Sequence, residues 1–363
     1  MLNRKFFLNS GIVKSPETMF FVPLNNNSTY YYSYDSISWI TGSFPITLNS
    51  NCAVGYIKSN NTWVIHNGID TSSNECFLSK DLVTWEYIDI TSTCSNGYNN
   101  GCYYAYYRNS DNTFNLLDAN CFSTTNGKDW SYYPLNTNFL HNSANNIKTC
   151  IDGSIVYSLP SNYMTSDDGC FVCWINDSGT YGSSFNSDSS DSNILALETG
   201  INDLIYVIYD TNVCTDDWGW CNDYDLYTFN KATNERTLIY NRINWYESFD
   251  ENYDVQVMKN FNNKIYLLSS SSVYNLITVT TIDTNNSISI ENVYDPDLQI
   301  AVSPGSGYQK NCNSCIKNDK LYFTGTGING QTFKICSLDI NHNINVCFDA
   351  GTDAIEAIGI WCN

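Results

Sequence analysis

Ser79-Lys80-Asp81-Leu82-Val83-Thr84-Trp85 is the stretch on which the reading of this chain turns. Ser33-Tyr34-Asp35-Ser36-Ile37-Ser38-Trp39 lies 46 residues before it, and Thr124-Thr125-Asn126-Gly127-Lys128-Asp129-Trp130 lies 45 residues after it. All three keep a hydroxyl, then a carboxylate or amide two residues on, then an indole four further along. A Ser or Thr hydroxyl and an Asp or Asn oxygen can accept the backbone amides of a tight turn. The Trp can then pack against the strands that the turn connects. Such a unit staples a hairpin and needs no ligand. A worn fourth copy is Thr165-Ser166-Asp167-Asp168-Gly169-Cys170-Phe171, with Phe in place of Trp.

Outward from these copies the chain is a succession of short strands. Thr29-Tyr30-Tyr31-Tyr32, Thr62-Trp63-Val64-Ile65, Tyr103-Tyr104-Ala105-Tyr106-Tyr107 and Leu204-Ile205-Tyr206-Val207-Ile208-Tyr209 are rich in aromatic and β-branched residues. Clusters of Asn, Gly, Asp and Ser separate them, and long amphipathic helical patterns are missing. The chain therefore reads as all-β. A second repeat marks its later half: Asp152-Gly153-Ser154-Ile155-Val156-Tyr157, Asn202-Asp203-Leu204-Ile205-Tyr206, Asn263-Lys264-Ile265-Tyr266 and Asp319-Lys320-Leu321-Tyr322. Each is a tight turn feeding a strand.

The first repeat resembles the Asp-box (BNR) repeat of sialidase-like β-propellers, in a shortened Ser/Thr-x-Asp/Asn-x-x-x-Trp form. The resemblance assigns Ser33, Asp35, Trp39, Ser79, Asp81, Trp85, Thr124, Asn126 and Trp130 to structural turns. It implies that these lie between the third and fourth strands of each blade, away from the face where the family binds its substrates. The shortened box, the lack of a leader and the Asn/Tyr-rich composition also look like propeller domains of tailed-bacteriophage virion proteins. Repeats at this period imply four-stranded blades around an axis. The expected architecture is one β-propeller over 1–363, with seven blades near 11–48, 49–92, 93–137, 138–185, 190–243, 250–297 and 298–350. Six or eight blades are the alternatives, because 176–192 is hard to place. The tail 353–361 is one more strand, expected to complete the first blade with Phe6-Phe7-Leu8 paired nearby, since an open ring would leave exposed edges.

Composition narrows the partners. Seventeen Lys and Arg against 37 Asp and Glu give a formal charge of −20. That charge argues against nucleic acid or anionic lipid as a partner. No run approaches the 18 or so apolar residues of a membrane helix, and Met1 to Leu8 is too short an apolar segment for a signal peptide. The fifteen Cys are an odd number; without a leader they read as reduced, buried thiols. Cys336 and Cys347 sit symmetrically about the turn Asn341-His342-Asn343, where a hairpin can pair them. The CxxC pairs Cys170/Cys173 and Cys312/Cys315 fall in separate units, against a shared zinc site.

A catalytic constellation is hard to assemble. A sialidase-like site needs three Arg around a carboxylate, a Tyr activated by a Glu, and an acidic proton donor. The four Arg here are Arg4, Arg108, Arg236 and Arg242, and the last two share one hairpin region. The Arg-Ile-Pro motif of that family is absent. His66, His141 and His342 have no ligand spacing and read as solvated loop or strand residues. The clusters Ser187-Asp188-Ser189-Ser190-Asp191-Ser192 and Thr215-Asp216-Asp217 offer oxygens suited to Ca2+ but match no calcium loop. No other cofactor is expected.

One binding candidate stands out in blade five. Asp216, Asp217, Trp218, Trp220, Asp223 and Tyr224 lie in a long insert between its second and third strands, and Trp245, Tyr246 and Glu247 lie in the link that leaves it. In a propeller these segments share a face opposite the staples. Flat rings beside carboxylates can stack on and hydrogen-bond neutral sugars, or anchor a protein partner; the same rings can instead fill the gap between blades five and six. The expectation is a non-enzymatic binding or attachment module in a bacteriophage virion, in a tail, fibre or capsid decoration. It would assemble in the host cytoplasm with other virion proteins and contact a host-surface glycan or protein. A purely structural virion subunit and a propeller glycosidase are the alternatives.

Overall fold

In the computed structural model the described residues are 19–23, 28–48, 52–67, 75–90, 104–108, 113–117, 121–133, 145–150, 154–159, 171–175, 181–184, 193–200, 204–210, 224–240, 257–271, 276–294, 298–300, 314–326, 332–351 and 357–363. They form antiparallel strands gathered into seven sheets. Sheet I contains β1 (Met19–Pro23), β2 (Thr29–Ser33) and β3 (Ile40–Ser43). Sheet II runs β4 (Ala53–Ile57), β5 (Thr62–His66), β6 (Glu75–Ser79), β7 (Glu86–Asp89), and sheet III runs β8 (Tyr104–Arg108), β9 (Thr113–Leu117), β10 (Cys121–Thr124), β11 (Ser131–Tyr133). Sheet IV is β12 (Asn145–Thr149), β13 (Ile155–Leu159), β14 (Phe171–Ile175), β15 (Tyr181–Ser184). Sheet V is β16 (Asn193–Thr199), β17 (Leu204–Asp210), β18 (Tyr224–Asn230), β19 (Glu235–Tyr240), and sheet VI is β20 (Val257–Phe261), β21 (Lys264–Ser271), β22 (Leu276–Ile282), β23 (Ile288–Tyr294). In sheet VII, β24 (Gln299–Ile300) and β25 (Ser314–Lys317) both pair with β26 (Lys320–Thr326), followed by β27 (Phe333–Leu338) and β28 (Ile344–Asp349).

The last strand, β29 (Ala357–Cys362), returns to sheet I and pairs antiparallel with β1, Met19 opposite Cys362 and Phe21 opposite Ile360. The C-terminal strand thus supplies one edge of the first sheet, in the order β29-β1-β2-β3. Its partner is Met19–Pro23; the Phe6-Phe7-Leu8 segment lies outside the described residues. β4, β8, β12, β16, β20, β25 and β29 are the first strands of the seven sheets, and from β4 to β29 each packs beside the next. The fold is a β-propeller.

The packing explains the residue choice. Middle strands are buried on both faces, as in β5 and β26, so they read as continuous apolar runs. Outer strands such as β7 and β19 are largely exposed and carry charge, which blunts their unpaired edges. The apolar cores lie between successive sheets rather than at one centre. Tyr30, Tyr32 and Phe44 of the sheet I region meet Val54, Trp63 and Phe77 of sheet II. Val257, Tyr266 and Val279 of sheet VI meet Leu321, Phe323 and Leu338 of sheet VII. Ile335 and Phe333 of sheet VII meet Ile360, Tyr31 and Trp39 of sheet I, which closes the circuit. Full burial of each such side chain contributes about 1.5–3 kcal/mol.

Candidate functional site

At one end of the sheets the three Ser/Thr boxes form the same turn, each between the third and fourth strands of its sheet. Ser33 Oγ accepts the Ser36 amide at 2.8 Å, and Asp35 Oδ1 accepts those of Ile37 and Ser38 at 2.8 and 2.7 Å. Ser79 Oγ accepts from Leu82 at 2.8 Å, and Asp81 Oδ1 from Val83 and Thr84 at 2.8 and 2.7 Å. Thr124 Oγ1 accepts from Gly127 at 2.8 Å, and Asn126 Oδ1 from Lys128 and Asp129 at 2.8 and 2.9 Å. The fourth residue of each turn is left-handed: Ser36 at φ 64°, Leu82 at 57° and Gly127 at 81°. The amides of Ser38 and then Ile37 hold the Asp35 carboxyl far below the usual range. The Thr84 amide, first among its bonds, lowers the pKa of Asp81.

The indoles seal the junctions between sheets. Trp39 stacks on Phe348 of sheet VII, centroids 5.0 Å apart. Trp85 Nε1 donates to the Tyr30 hydroxyl of sheet I at 3.0 Å, and the Tyr30 hydroxyl in turn donates to the Leu82 carbonyl. Trp130 Nε1 donates to its own turn at Gly127 O, 2.9 Å, while its ring packs on the core shared by sheets II and III. The worn fourth copy has a different place. Phe171 opens β14, the third strand of sheet IV, so the 165–170 segment precedes that strand and cannot be the turn that follows it.

Sequence reading missed that three later turns do the same work with other residues. Asn230 Oδ1 accepts from Ala232 and Thr233, at 2.9 and 3.4 Å. Asp283 Oδ1 accepts from Asn285 and Ser287, at 2.8 and 2.9 Å. Asp339 Oδ1 accepts from Asn341 and Asn343, at 2.8 and 3.0 Å. Asn234, Asn286 and His342 take the left-handed position. The available signal was Asp283-Thr284-Asn285-Asn286-Ser287 against Asp339-Ile340-Asn341-His342-Asn343, two Asx turns with a left-handed fourth residue.

Side chains also join neighbouring sheets at this end. Lys317 Nζ of sheet VII reaches Tyr34 O of sheet I at 3.4 Å, and Tyr34 Oη reaches Asp81 O of sheet II at 3.3 Å. Asn60 Nδ2 of sheet II donates to Asn126 O of sheet III at 3.2 Å. Lys231 of sheet V donates to Ser154 before β13 of sheet IV, and Asn260 Nδ2 of sheet VI to Thr199 O of sheet V at 3.1 Å. Beneath them Lys148 of β12 and Glu198 of β16 form an ion pair at 2.9 Å with little solvent access, and Glu198 Oε1 also accepts the Thr199 amide. Among the described residues these bonds join sheet VII to I, I to II, II to III, IV to V and V to VI.

The opposite end is built differently. Staple-side intervals between described strands are two to six residues long, whereas 211–223 and 241–256 emerge at the other end. Asp216, Asp217, Trp218, Trp220, Asp223, Trp245, Tyr246 and Glu247 lie outside the described residues; of that set only Tyr224 is placed, opening β18 opposite Asp210. Asp210–Tyr224 is the last pair of the β17–β18 ladder, at the end remote from Asn230.

Two sequence expectations need correction. Cys336 does not pair with Cys347: the register shifts between Ile335 and Cys336, Cys336 faces Val346, and Cys347 carries a free thiol. A disulfide instead joins Cys315 of β25 to Cys362 of β29, while Cys52, Cys76 and Cys150 are buried thiols. His66 is buried in β5 rather than solvated, whereas His342 pairs with Glu291 at 2.5 Å. Among the described residues no cluster of three His, Cys, Asp or Glu side chains comes together.

Neither a protein-family profile nor a curated protein sequence matches the chain. Solved structures do. A Bacteroides uniformis protein described as a candidate 6-phosphogluconolactonase is 9% identical with a TM-score of 0.57, over 96% of this chain and 100% of its own. Synechocystis apocarotenoid oxygenase is 8% identical with a TM-score of 0.51, over 96% of this chain and 92% of its own. One of two prolyl endopeptidases is 10% identical with a TM-score of 0.50 over 93% of this chain, which spans half of that enzyme's length. At these identities the likeness concerns fold alone: the chain is a β-propeller.

Proposed function

We propose that the protein is a non-enzymatic binding and attachment module that works from the end of the propeller opposite its staples. The observation that carries this reading is the asymmetry of the two ends. Short, side-chain-locked turns occupy one, and the long intervals 211–223 and 241–256 leave from the other. A rigid scaffold that presents long connections at one end suits recognition, because those connections can vary without disturbing the cores. Those intervals hold Trp218, Trp220, Trp245 and Tyr246 among Asp216, Asp217, Asp223 and Glu247, a mixture suited to a neutral glycan or a protein surface. The Asp-box resemblance and the Asn/Tyr-rich composition favour a bacteriophage virion as the setting. Only four Arg are present, too few and too poorly spread for a sialidase-like carboxylate clamp.

The deciding measurement is binding of the purified chain to host cells and to a neutral and sialylated glycan array, beside the double variant Trp218→Ala/Trp220→Ala. We expect binding that competes with phage adsorption, is lost in the double variant, and leaves the thermal midpoint unchanged. Glycan turnover that vanishes when one carboxylate of this set is replaced would overturn the non-enzymatic reading.

A further inference from the structure

The Cys315–Cys362 disulfide sits at the seam of the ring. Cys315 belongs to β25, whose neighbours β26 to β28 end the run of sheets, and Cys362 belongs to β29, which crosses to sheet I. The ladder partner of β29 is β1. β29 is thus the strand through which sheets VII and I meet, packed on β25 and laddered to β1, and its release would uncover the β1 edge and separate sheet VII from sheet I. The bond fixes Cys362 of β29 to β25, a strand of the neighbouring sheet. Around it the seam core is thin in aliphatic residues and rich in part-buried groups: Tyr31, Trp39, Cys347, Phe348 and Ala350. Trp39 Nε1, in the same core, is buried without a hydrogen-bond partner among the described residues. The junction between sheets VI and VII is instead filled by Leu268, Ile277, Val279, Leu298, Leu321 and Leu338, all buried.

We propose that this disulfide is a redox latch on ring closure, locking β29 when oxidised and allowing it to peel from β1 when reduced. The co-reactant is a dithiol. Its thiolate attacks the Cys362 sulfur, the more exposed of the two, and the S–S bond breaks with Cys315 leaving as a thiolate that takes up a proton. The second thiol of the reductant then displaces Cys362, which is also protonated. Two electrons and two protons reach the protein, and the reductant ends as its own disulfide. Opening is confined to the seam because the other junctions carry no part of this bond.

The test is hydrogen exchange on the full chain, unreduced and in dithiothreitol, with peptides covering β29, β1 and sheets IV to VI. The expected result is that reduction speeds exchange in β29 and β1 about tenfold or more, leaves sheets IV to VI unchanged, and reverses on reoxidation. Cys315→Ser/Cys362→Ser should show the reduced pattern without reductant, and Cys347→Ser the unreduced one. Full alkylation of Cys315 and Cys362 in the native unreduced protein overturns the proposal. So does unchanged exchange in β29 after verified reduction. Should the double variant fail to fold, reduced wild-type protein decides alone: loss of all sheets together would make the bond a global support and not a latch.

Discussion

The Tyr206 hydroxyl of sheet V donates to Asn286 Oδ1 of sheet VI at 3.1 Å, across 80 residues of sequence. Tyr206 is the last residue of the Asn-Asp-Leu-Ile-Tyr repeat, and Asn286 is the left-handed residue of the next sheet's Asp283 turn. Tyr266 repeats the relation one sheet on, its ring edge-on to His342 at 5.8 Å, and Tyr322 shares a hydrogen bond with Ser36 of sheet I. Burial, and then the charge of Asp283 or Asp339, raises the pKa of Tyr206 and Tyr266 above the usual phenol value. In these three places a buried tyrosine of the second repeat meets the stapled turn of the next sheet, and at Tyr322 that turn belongs to the first repeat.

Tyr206→Phe isolates that contact, since it keeps the ring and removes the donor. We expect a loss of about 1 kcal/mol, the net value of a hydrogen bond of this kind, and more if Asn286 is left unsatisfied. Tyr206→Ala should cost about 3–5 kcal/mol through the cavity it leaves. Urea unfolding of the three proteins measures both, and a Tyr206→Phe chain as stable as wild type would remove the hydroxyl from the account.

Acid should loosen the stapled end first. Asp35, Asp81, Asp283 and Asp339 all have folded pKa values below the ordinary carboxyl value, mainly through backbone amides or, for Asp339, the Asn343 side chain. A depressed folded pKa gives stability that is complete above the unfolded value, about 3.9, and is lost as pH falls toward the folded value. The thermal midpoint should therefore be flat from neutral pH to about pH 5 and fall below about pH 4. Asn126 performs the same turn without titrating. Asp35→Asn/Asp81→Asn should therefore flatten the acid slope, and an unchanged slope would assign acid sensitivity to other groups.

The boundary of what the sequence discloses follows the range of each interaction. Ser79, Asp81 and Trp85 form their turn within seven residues, so the pattern was readable as chemistry before any fold was known. The Tyr206 and Tyr266 repeats were visible as turns feeding strands, but their partners lie in the following sheet and needed the ring. The same holds for Cys315 and Cys362, 47 residues apart and brought together only because β29 returns to sheet I. Cys336 and Cys347 show the opposite failure. The turn sets Leu338 against Ile344 and so Cys336 against Val346, and Cys347 is the extra residue of the bulge that follows, before Ile335 meets Phe348. The Asn230, Asp283 and Asp339 turns escaped because they lack the indole that made the first repeat conspicuous.

The Lys148–Glu198 pair links β12 and β16 with side chains only 9% and 6% exposed. Removing one partner leaves a buried charge, so Lys148→Met should cost about 3–5 kcal/mol. Lys148→Met/Glu198→Leu should cost far less than the two single changes summed, since an apolar pair of similar volume avoids desolvation. A double-mutant cycle by urea unfolding reads the coupling. Additive single costs would show that the two charges do not depend on each other.

Gly127 and Ser36 occupy equivalent turn positions and should respond oppositely to substitution. Gly127 has φ 81°, and a Cβ there would lie 2.7 Å from Leu78 Cδ2 in the core between sheets II and III. Gly127→Ala combines the left-handed penalty, about 1–2 kcal/mol, with displacement of a buried leucine. Ser36 already bears that penalty at φ 64°, so Ser36→Gly relieves it while adding unfolded-state entropy, for a net change within about 1 kcal/mol of zero. Ser36 also meets Tyr322, and Tyr322→Phe measured with and without Ser36→Gly separates that bond from the backbone term. A Gly127→Ala protein as stable as wild type would mean that the third turn can relax its conformation, and the equivalence of the three staples would fail there.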